Sequence, residues 1–132
     1  MRTRLATLLL MLSATLAQAE TPMTAAEFEA YVTGKTLTYS QFGQPYGVEE
    51  YLPGRKVRWA FTEDECQYGT YFDKDGLICF AYEDEPGPHC WTFWREGGGL
   101  KALAVTDAPG SELSEVSQSD APLNCPGPDV GV

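Results

Sequence analysis

Two identical acidic triplets are the densest groups of chemically capable side chains in the sequence. Carboxylates held close together repel one another, and a hard cation such as calcium relieves the repulsion by accepting several oxygen ligands. The triplets flank a predicted hairpin, so we expect six carboxylates at one end of it: Glu63, Asp64, Glu65, Glu83, Asp84 and Glu85. This pattern predicts a solvated acidic rim, and the alternatives are a weak divalent-cation site or a docking patch for a basic partner.

The residues needed for catalysis are sparse. His89 is the one histidine in the sequence, which excludes most Ser-His-Asp, Cys-His and His-rich metal sites. Carboxylates in runs are usually hydrated and lack the raised pKa that a general acid needs. The Gly97-Gly98-Gly99 run lies between predicted strands, whereas a nucleotide-binding loop precedes a helix. We therefore expect a protein that is not an enzyme and that has no cofactor and no catalytic metal.

Length and charge limit the number of domains and the class of partner. The chain has 132 residues, which is enough for one domain, and 9 Lys and Arg stand against 19 Asp and Glu. The resulting net charge of −10 argues against nucleic acid as a partner, because phosphate binding needs clustered basic residues.

The first 19 residues are typical of a secretory signal peptide. Arg2 and Arg4 precede the apolar stretch Leu5–Ala17, and Ala17-Gln18-Ala19 matches the small-residue rule for cleavage before Glu20. After cleavage we expect no transmembrane segment, because no other apolar run reaches about 20 residues. We expect a periplasmic or secreted protein.

The expected location determines whether the cysteines form disulfides. An even number of cysteines in an oxidising compartment usually forms disulfides, and the chain contains Cys66, Cys79, Cys90 and Cys125. Structural zinc sites use close pairs such as C-x-x-C, which are missing here. Spacing alone leaves all three possible pairings open.

The remaining pattern predicts a mainly β protein with one short N-terminal helix. Thr24 and Glu27 fit a capping box, and the apolar stripe that includes Phe28 predicts a helix at about Ala25–Thr33. Alternating segments then predict an antiparallel meander of about six to seven strands, curled or barrel-like, that carries the helix on its outside. The candidate strands are Thr36–Phe42, Gly47–Leu52, Arg55–Phe61, Gln67–Phe72, Leu77–Tyr82, His89–Arg95 and Leu100–Thr106.

Turns and composition set the expected domain limits. Gly54, Gly76 and Gly98 are evenly spaced, which predicts turns along one rim of the meander. Residues 20–106 are expected to form a single β-rich domain. Residues 107–132 are rich in Pro, Gly and Ser, which predicts an extended tail attached through Cys125.

Aromatic residues suggest the binding surface. All of them except Phe28 and Tyr31 lie between Tyr39 and Trp94. Two predicted strands are apolar on both faces, so they are either covered on both sides or leave apolar surface exposed. We expect a monomer that binds a small apolar ligand or another exported protein, and the candidate residues are Trp91, Phe93, Trp94, Tyr71 and Phe80.

One pattern of residues resembles a known group. A glycine-containing strand that begins Cys66-Gln67-Tyr68-Gly69 leads through a turn to Ile78-Cys79-Phe80, and Cys90-Trp91 follows. This is similar to small exported bacterial β-proteins of unknown function. The resemblance implies that Cys79 pairs with Cys90 across a hairpin, which leaves Cys66 and Cys125 to attach the tail, and it implies no activity. Geometry is compatible with this pairing: if Tyr82 lies opposite His89, Cys79 and Cys90 are diagonal neighbours on one face.

Overall fold

The fold is a closed antiparallel barrel with one helix. A computed structural model describes residues 21–61 and 65–125. In this part of the chain, α1 spans Ala25–Val32 and eight strands follow: β1 Thr36–Gln41, β2 Gln44–Leu52, β3 Lys56–Ala60, β4 Gln67–Lys74, β5 Leu77–Tyr82, β6 His89–Glu96, β7 Gly99–Ala104 and β8 Leu113–Ser119. Each strand pairs with the next, and β8 pairs with β1 to close the ring.

The eighth strand corrects the predicted strand count. All seven predicted strands are present, but β8 lies inside the segment 107–132, for which composition predicts an extended tail. That expectation is wrong for Leu113–Ser119, because β8 is held mainly by backbone pairing with β1 over six residue pairs. It buries one apolar side chain, Leu113, so its composition gives almost no strand signal. The predicted signal peptide, residues 1–19, lies outside the described residues.

Helix α1 closes one end of the barrel. The predicted capping box is confirmed: Thr24 Oγ1 accepts from the Glu27 N–H, and the Glu27 carboxylate accepts from the Thr24 N–H. Phe28 is fully buried, and its ring packs against the inward-facing rings of Phe93 and Tyr71 at centroid distances of 4.5 and 5.3 Å. The expectation that the helix lies outside the sheet is therefore wrong, since its apolar stripe packs against the aromatic side chains inside the end of the barrel.

The connections alternate between two ends of the barrel. Connections 53–55, 75–76 and 97–98 lie at the end that α1 closes, which we call the closed end. The predicted turns at Gly54, Gly76 and Gly98 are confirmed, and all three glycines have positive φ. Connections 42–43, 61–66, 83–88 and 105–112 lie at the opposite end, which we call the open end.

Both implied disulfides are confirmed. Cys79 on β5 and Cys90 on β6 lie directly opposite each other and are bonded. Phe80, rather than Tyr82, lies opposite His89, a shift of two residues that keeps both cysteines on the same face. The second disulfide joins Cys66 to Cys125. Two disulfides in so short a chain are suited to an oxidising compartment.

The second disulfide fixes a strap, residues 120–125, along the outside of the barrel. Thr36 Oγ1 donates to the Ala121 carbonyl near the closed end, and the Leu123 N–H donates to the Glu50 carboxylate on β2. The strap ends at Cys125, bonded to Cys66 just before β4 begins. It therefore crosses the outer face of β1, β2 and β3.

None of the helices in residues 21–61 and 65–125 is both long enough and apolar enough to cross a membrane.

Candidate ligand-binding site

A cavity of about 140 Å³ lies inside the barrel and opens at the open end. Strand alternation points every second side chain inward, and most of the inward residues along this part of the barrel are aromatic. An engineered cavity of about 150 Å³ in another protein holds benzene, so this space accommodates a ligand body of that size. The principal aromatic lining residues are Tyr39, Tyr46, Trp59, Phe80, Tyr82, Trp91 and Phe93.

Three rings form one wall of the mouth. Trp59 lies 5.7 Å from Tyr46 and 5.2 Å from Phe61, measured between ring centroids. Gly47, on the neighbouring strand, makes room for this wall, because the Trp59 ring occupies the space that a Cβ at position 47 would need. Phe61 is 56% exposed, so the apolar wall continues from the interior to the rim.

Glu49 is the buried carboxyl group of this cavity. It lies on β2, is 2% exposed, and faces inward opposite Trp59 on β3. The Tyr82 hydroxyl donates to Glu49 Oε1 over 2.9 Å. Burial raises the pKa of the Glu49 carboxyl well above its ordinary value of 4.5, and the hydrogen bond from Tyr82 offsets part of this increase.

Glu50, the next residue, is also buried, but its side chain has different partners. It faces outward beneath the strap and is 6% exposed. Arg58 Nη2 lies 2.6 Å from its Oε2, and the Leu123 N–H donates to the same oxygen over 3.0 Å. Two adjacent glutamates are thus buried on opposite faces of β2, one with a cation and one with a phenol.

Two further phenols are buried in the cavity wall. The hydroxyl groups of Tyr39 and Tyr51 are hydrogen-bonded to each other over 2.8 Å. Burial raises the pKa of both tyrosines well above 10.0, so both stay protonated at any ordinary pH. They supply neutral hydrogen-bonding groups to an otherwise aromatic wall.

The polar side of the mouth is centred on Glu85. Its Oε1 accepts a hydrogen bond from Gln67 Nε2 over 2.9 Å, and its Oε2 lies 2.9 Å from His89 Nε2. All three side chains line the cavity opening. The mouth therefore has an aromatic wall and a polar, acidic wall.

The structure distributes the predicted aromatic site residues among three places. Phe80, Trp91 and Phe93 line the cavity. Tyr71 lies beyond it, against Phe28 at the closed end. Trp94 lies on the opposite face of β6 from Phe93, outside the barrel, so it does not share the cavity.

The described part of the two acidic triplets lies at the open end. Glu83, Asp84 and Glu85 are in the connection between β5 and β6, and Glu65 is in the connection between β3 and β4. Glu63 and Asp64 lie outside the described residues. Across the described ranges, no group of three or more His, Cys, Asp or Glu side chains is placed to hold a metal ion.

Sequence reasoning predicts Glu85 at the mouth but misses three residues of the cavity interior. These are Glu49, Tyr82 and Trp59, and a signal in the sequence exists for Glu49. Because side chains alternate along a strand, two adjacent glutamates in the predicted strand Gly47–Leu52 require one carboxyl group to face the interior.

Comparison with known proteins identifies no relative: no protein-family model matches the chain, and neither a curated protein nor a solved structure is significantly similar to it.

Proposed function

We propose that this protein is an exported, non-catalytic binding protein that holds a small apolar ligand in the barrel. The observation that supports this proposal best is the aromatic cavity of about 140 Å³, open at one end and closed by α1 at the other. Small-molecule sites are typically concave, mostly apolar and equipped with a few polar groups that orient the ligand. Glu49, Tyr82 and the Tyr39–Tyr51 pair are groups of this kind.

The shape of the cavity supports an occupant. Protein interiors are close-packed, and side chains that line an unfilled space lack packing partners on that side. A ligand that enters from the open end would supply these contacts to the aromatic rings of the lining.

The side chains of the cavity also favour binding over catalysis. Its lining is dominated by aromatic rings, whose faces offer contact area and whose phenols stay protonated. Both pairs of cysteines form disulfides, so the described part of the chain presents no thiolate nucleophile.

Toluene, which is neutral and close to benzene in size, is the appropriate first probe. Trp59 and Trp91 line the cavity, so we expect toluene to change the indole fluorescence and to raise the midpoint of thermal unfolding. Leu113→Phe enlarges a buried lining residue and should abolish both effects by filling the space.

Trp94→Phe is the matched control for the optical signal. Trp94 lies on the outer face of β6, so its loss should leave the toluene response intact. If toluene changes neither the fluorescence nor the unfolding midpoint of the full chain, the proposal is wrong.

The acidic open end supports a second candidate function, docking of a basic exported protein. No Lys or Arg occurs in the four connections at this end, and Phe42, in the connection 42–43, is 72% exposed. Binding through such a surface depends on screened charges, so it should weaken steeply with added salt. Salt-independent binding would exclude this mechanism.

A further inference from the structure

The two buried glutamates of β2 differ in the charge that faces them. Glu50 is paired with Arg58, whereas the Tyr82 hydroxyl is the hydrogen-bond partner of Glu49 among the described residues. A buried carboxylate is costly unless it is paired with a cation or well supplied with donors. On the outer face of the barrel, the chain itself supplies the cation, since Arg58 pairs with Glu50. On the inner face, a ligand would supply the cation that pairs with Glu49.

The cavity walls favour a positive group at this position. The face of an aromatic ring is electronegative, and a cation within about 6 Å of the ring centroid is attracted to it. Trp59, directly opposite Glu49, and Tyr82, bonded to it, both line the cavity. A cation beside Glu49 therefore lies among aromatic rings as well as next to a carboxyl group.

The field at the open end acts in the same direction. The described carboxylates in its connections are Glu65, Glu83, Asp84, Glu85, Asp107 and Glu112. Because these connections contain no Lys or Arg, the potential at the mouth is negative. It concentrates cations at the entrance and repels anions.

The donor set selects an organic cation over a metal ion. Calcium takes six to eight oxygen ligands, and magnesium requires an octahedral set. The cavity offers one buried carboxyl group and a few phenols among aromatic rings. Such a lining suits an ammonium group, which needs only one strong acceptor while its organic body contacts the rings.

We propose that the cavity selects a small organic ammonium, a primary amine on an apolar body of about benzene's size, with its nitrogen against the Glu49 carboxylate. This inference rests on the proposed function, because it names the class of ligand for the same cavity. The apolar body supplies contact with the rings, and the charge supplies specificity.

Binding of such a ligand is coupled to proton release. Burial raises the pKa of Glu49, so the empty cavity favours the protonated carboxyl. An incoming ammonium stabilises the carboxylate, and the Glu49 proton leaves to solvent while the ligand keeps its own. The affinity for the ammonium therefore rises with pH until Glu49 is ionised in the empty cavity, whereas the affinity for toluene does not.

Other titratable groups lie near Glu49, so the group that releases the proton has to be identified by experiment. Burial keeps the buried tyrosines protonated, so the other groups near Glu49 that can exchange a proton are Glu85, His89 and Glu115. The titratable groups that line the cavity with Glu49 are Tyr39 on β1, Tyr46 and Tyr51 on β2, Tyr82 on β5, Glu85 after β5 and His89 on β6. Glu115 on β8 lies outside this lining, where its carboxylate accepts from the Leu100 N–H.

Calorimetric titration of the full chain with three probes of one size tests the inference. Benzylammonium carries the charge, toluene is its neutral analogue and benzoate is the anion. We expect benzylammonium to bind about tenfold or more tightly than toluene, since a hydrogen bond to a charged group is worth about 1.5–3 kcal/mol. Benzoate should bind more weakly than toluene.

Glu49→Gln keeps the shape and removes the charge. We expect it to lower the benzylammonium affinity about tenfold or more, to leave the toluene affinity within about twofold, and to abolish proton release. Glu50→Gln is the matched control, because it removes the adjacent charge on the outer face and should change neither affinity.

The outcomes separate the two proposals. If toluene binds and benzylammonium binds no better, or if Glu49→Gln leaves the preference unchanged, the assignment to an ammonium is wrong and the apolar site stands. Proton release that persists in Glu49→Gln would come from another group and would also overturn it. If none of the three probes binds, both the assignment to an ammonium and the proposed function are wrong.

Discussion

The two ends of the barrel are built from different kinds of side chain. At the closed end, Phe28 plugs the interior and Arg55 bonds Glu29 on the helix over 2.9 Å. At the open end, the connections contain no basic residue, and the large apolar side chains of Phe42 and Phe61 are 72% and 56% exposed. Packing is therefore concentrated at the end that the helix closes, whereas the opposite end exposes apolar and acidic side chains.

The basic residues follow the same division. Five of them lie at or next to the closed end: Lys35, Arg55, Lys56, Lys74 and Arg95. Two of these make cation–π contacts with the ring of Tyr31 on α1, at 4.4 Å for Lys35 Nζ and 4.3 Å for the Arg95 guanidinium carbon. Carboxylates occur at both ends, but at the closed end Glu29 and Asp73 are paired with Arg55, whereas the connections at the open end contain no Lys or Arg.

The largest expected effect separates the two ends by packing. Phe28→Ala should reduce the free energy of unfolding by about 3–5 kcal/mol, because it removes a fully buried ring that contacts Tyr51, Tyr71 and Phe93. Denaturant unfolding followed by circular dichroism measures this change. Phe61→Ala at the open end is the matched control, and we expect it to cost less than about 1 kcal/mol. Equal losses would contradict the division between the two ends.

The next effect separates the two glutamates of β2. Glu50→Gln removes the negative charge that faces Arg58 and should destabilise the barrel by roughly 2 kcal/mol. Glu49→Gln removes a buried ionisable group instead, so we expect the protein to be at least as stable at neutral pH. Denaturant unfolding of both variants beside the unsubstituted chain makes the comparison, and a large loss in Glu49→Gln would show that its charge stabilises the fold.

The same variants give a pH dependence of defined sign. The pKa of Glu49 is raised in the folded chain, so the folded state binds more protons than the unfolded state above pH 4.5. Stability contributed by this group is therefore present at low pH and falls as pH rises to the folded pKa, by up to about 1.4 kcal/mol per pH unit. Unfolding curves at several pH values should show this fall in the unsubstituted chain and its absence in Glu49→Gln.

The smallest effect concerns the charges at the mouth. Exchanging Glu83 and Asp84 for their amides should weaken the binding of a lysine-rich peptide by about two- to threefold at low salt, since exposed charges each contribute under about 1 kcal/mol. Fluorescence anisotropy of a labelled peptide measures the affinity. Asp73→Asn with Asp75→Asn, at the closed end, is the control and should have little effect. A larger loss of affinity in the control pair would place peptide binding at the closed end and contradict the prediction.

Much of the fold is predictable because it depends on local patterns. The capping box at Thr24 and Glu27 and the turns at Gly54, Gly76 and Gly98 are local signals, and all were predicted. Strand β8 could not be predicted in this way. Its residues are polar and small, and it is ordered by pairing with β1, which lies far away in the sequence.

The candidate site is less predictable for a related reason. Trp91, Phe93 and Phe80 stand out in the sequence as aromatic residues on strands that are apolar on both faces, and all three line the cavity. The sequence does not distinguish Trp94 from them without the register that turns it outward. Alternation along β2 requires Glu49 or Glu50 to face the interior, but the composition of the strand does not show which one.

Pairing between β1 and β8 also sets the order of events during biosynthesis. Thr36 pairs with Ser119, so the ring cannot close until residue 119 has left the ribosome. Until then, β1 and β7 each present an unsatisfied row of backbone groups to whatever chain is nearby. A nonsense mutation before residue 113 would make this state permanent, and the truncated product would aggregate or be degraded even though most of its aromatic core had been synthesised.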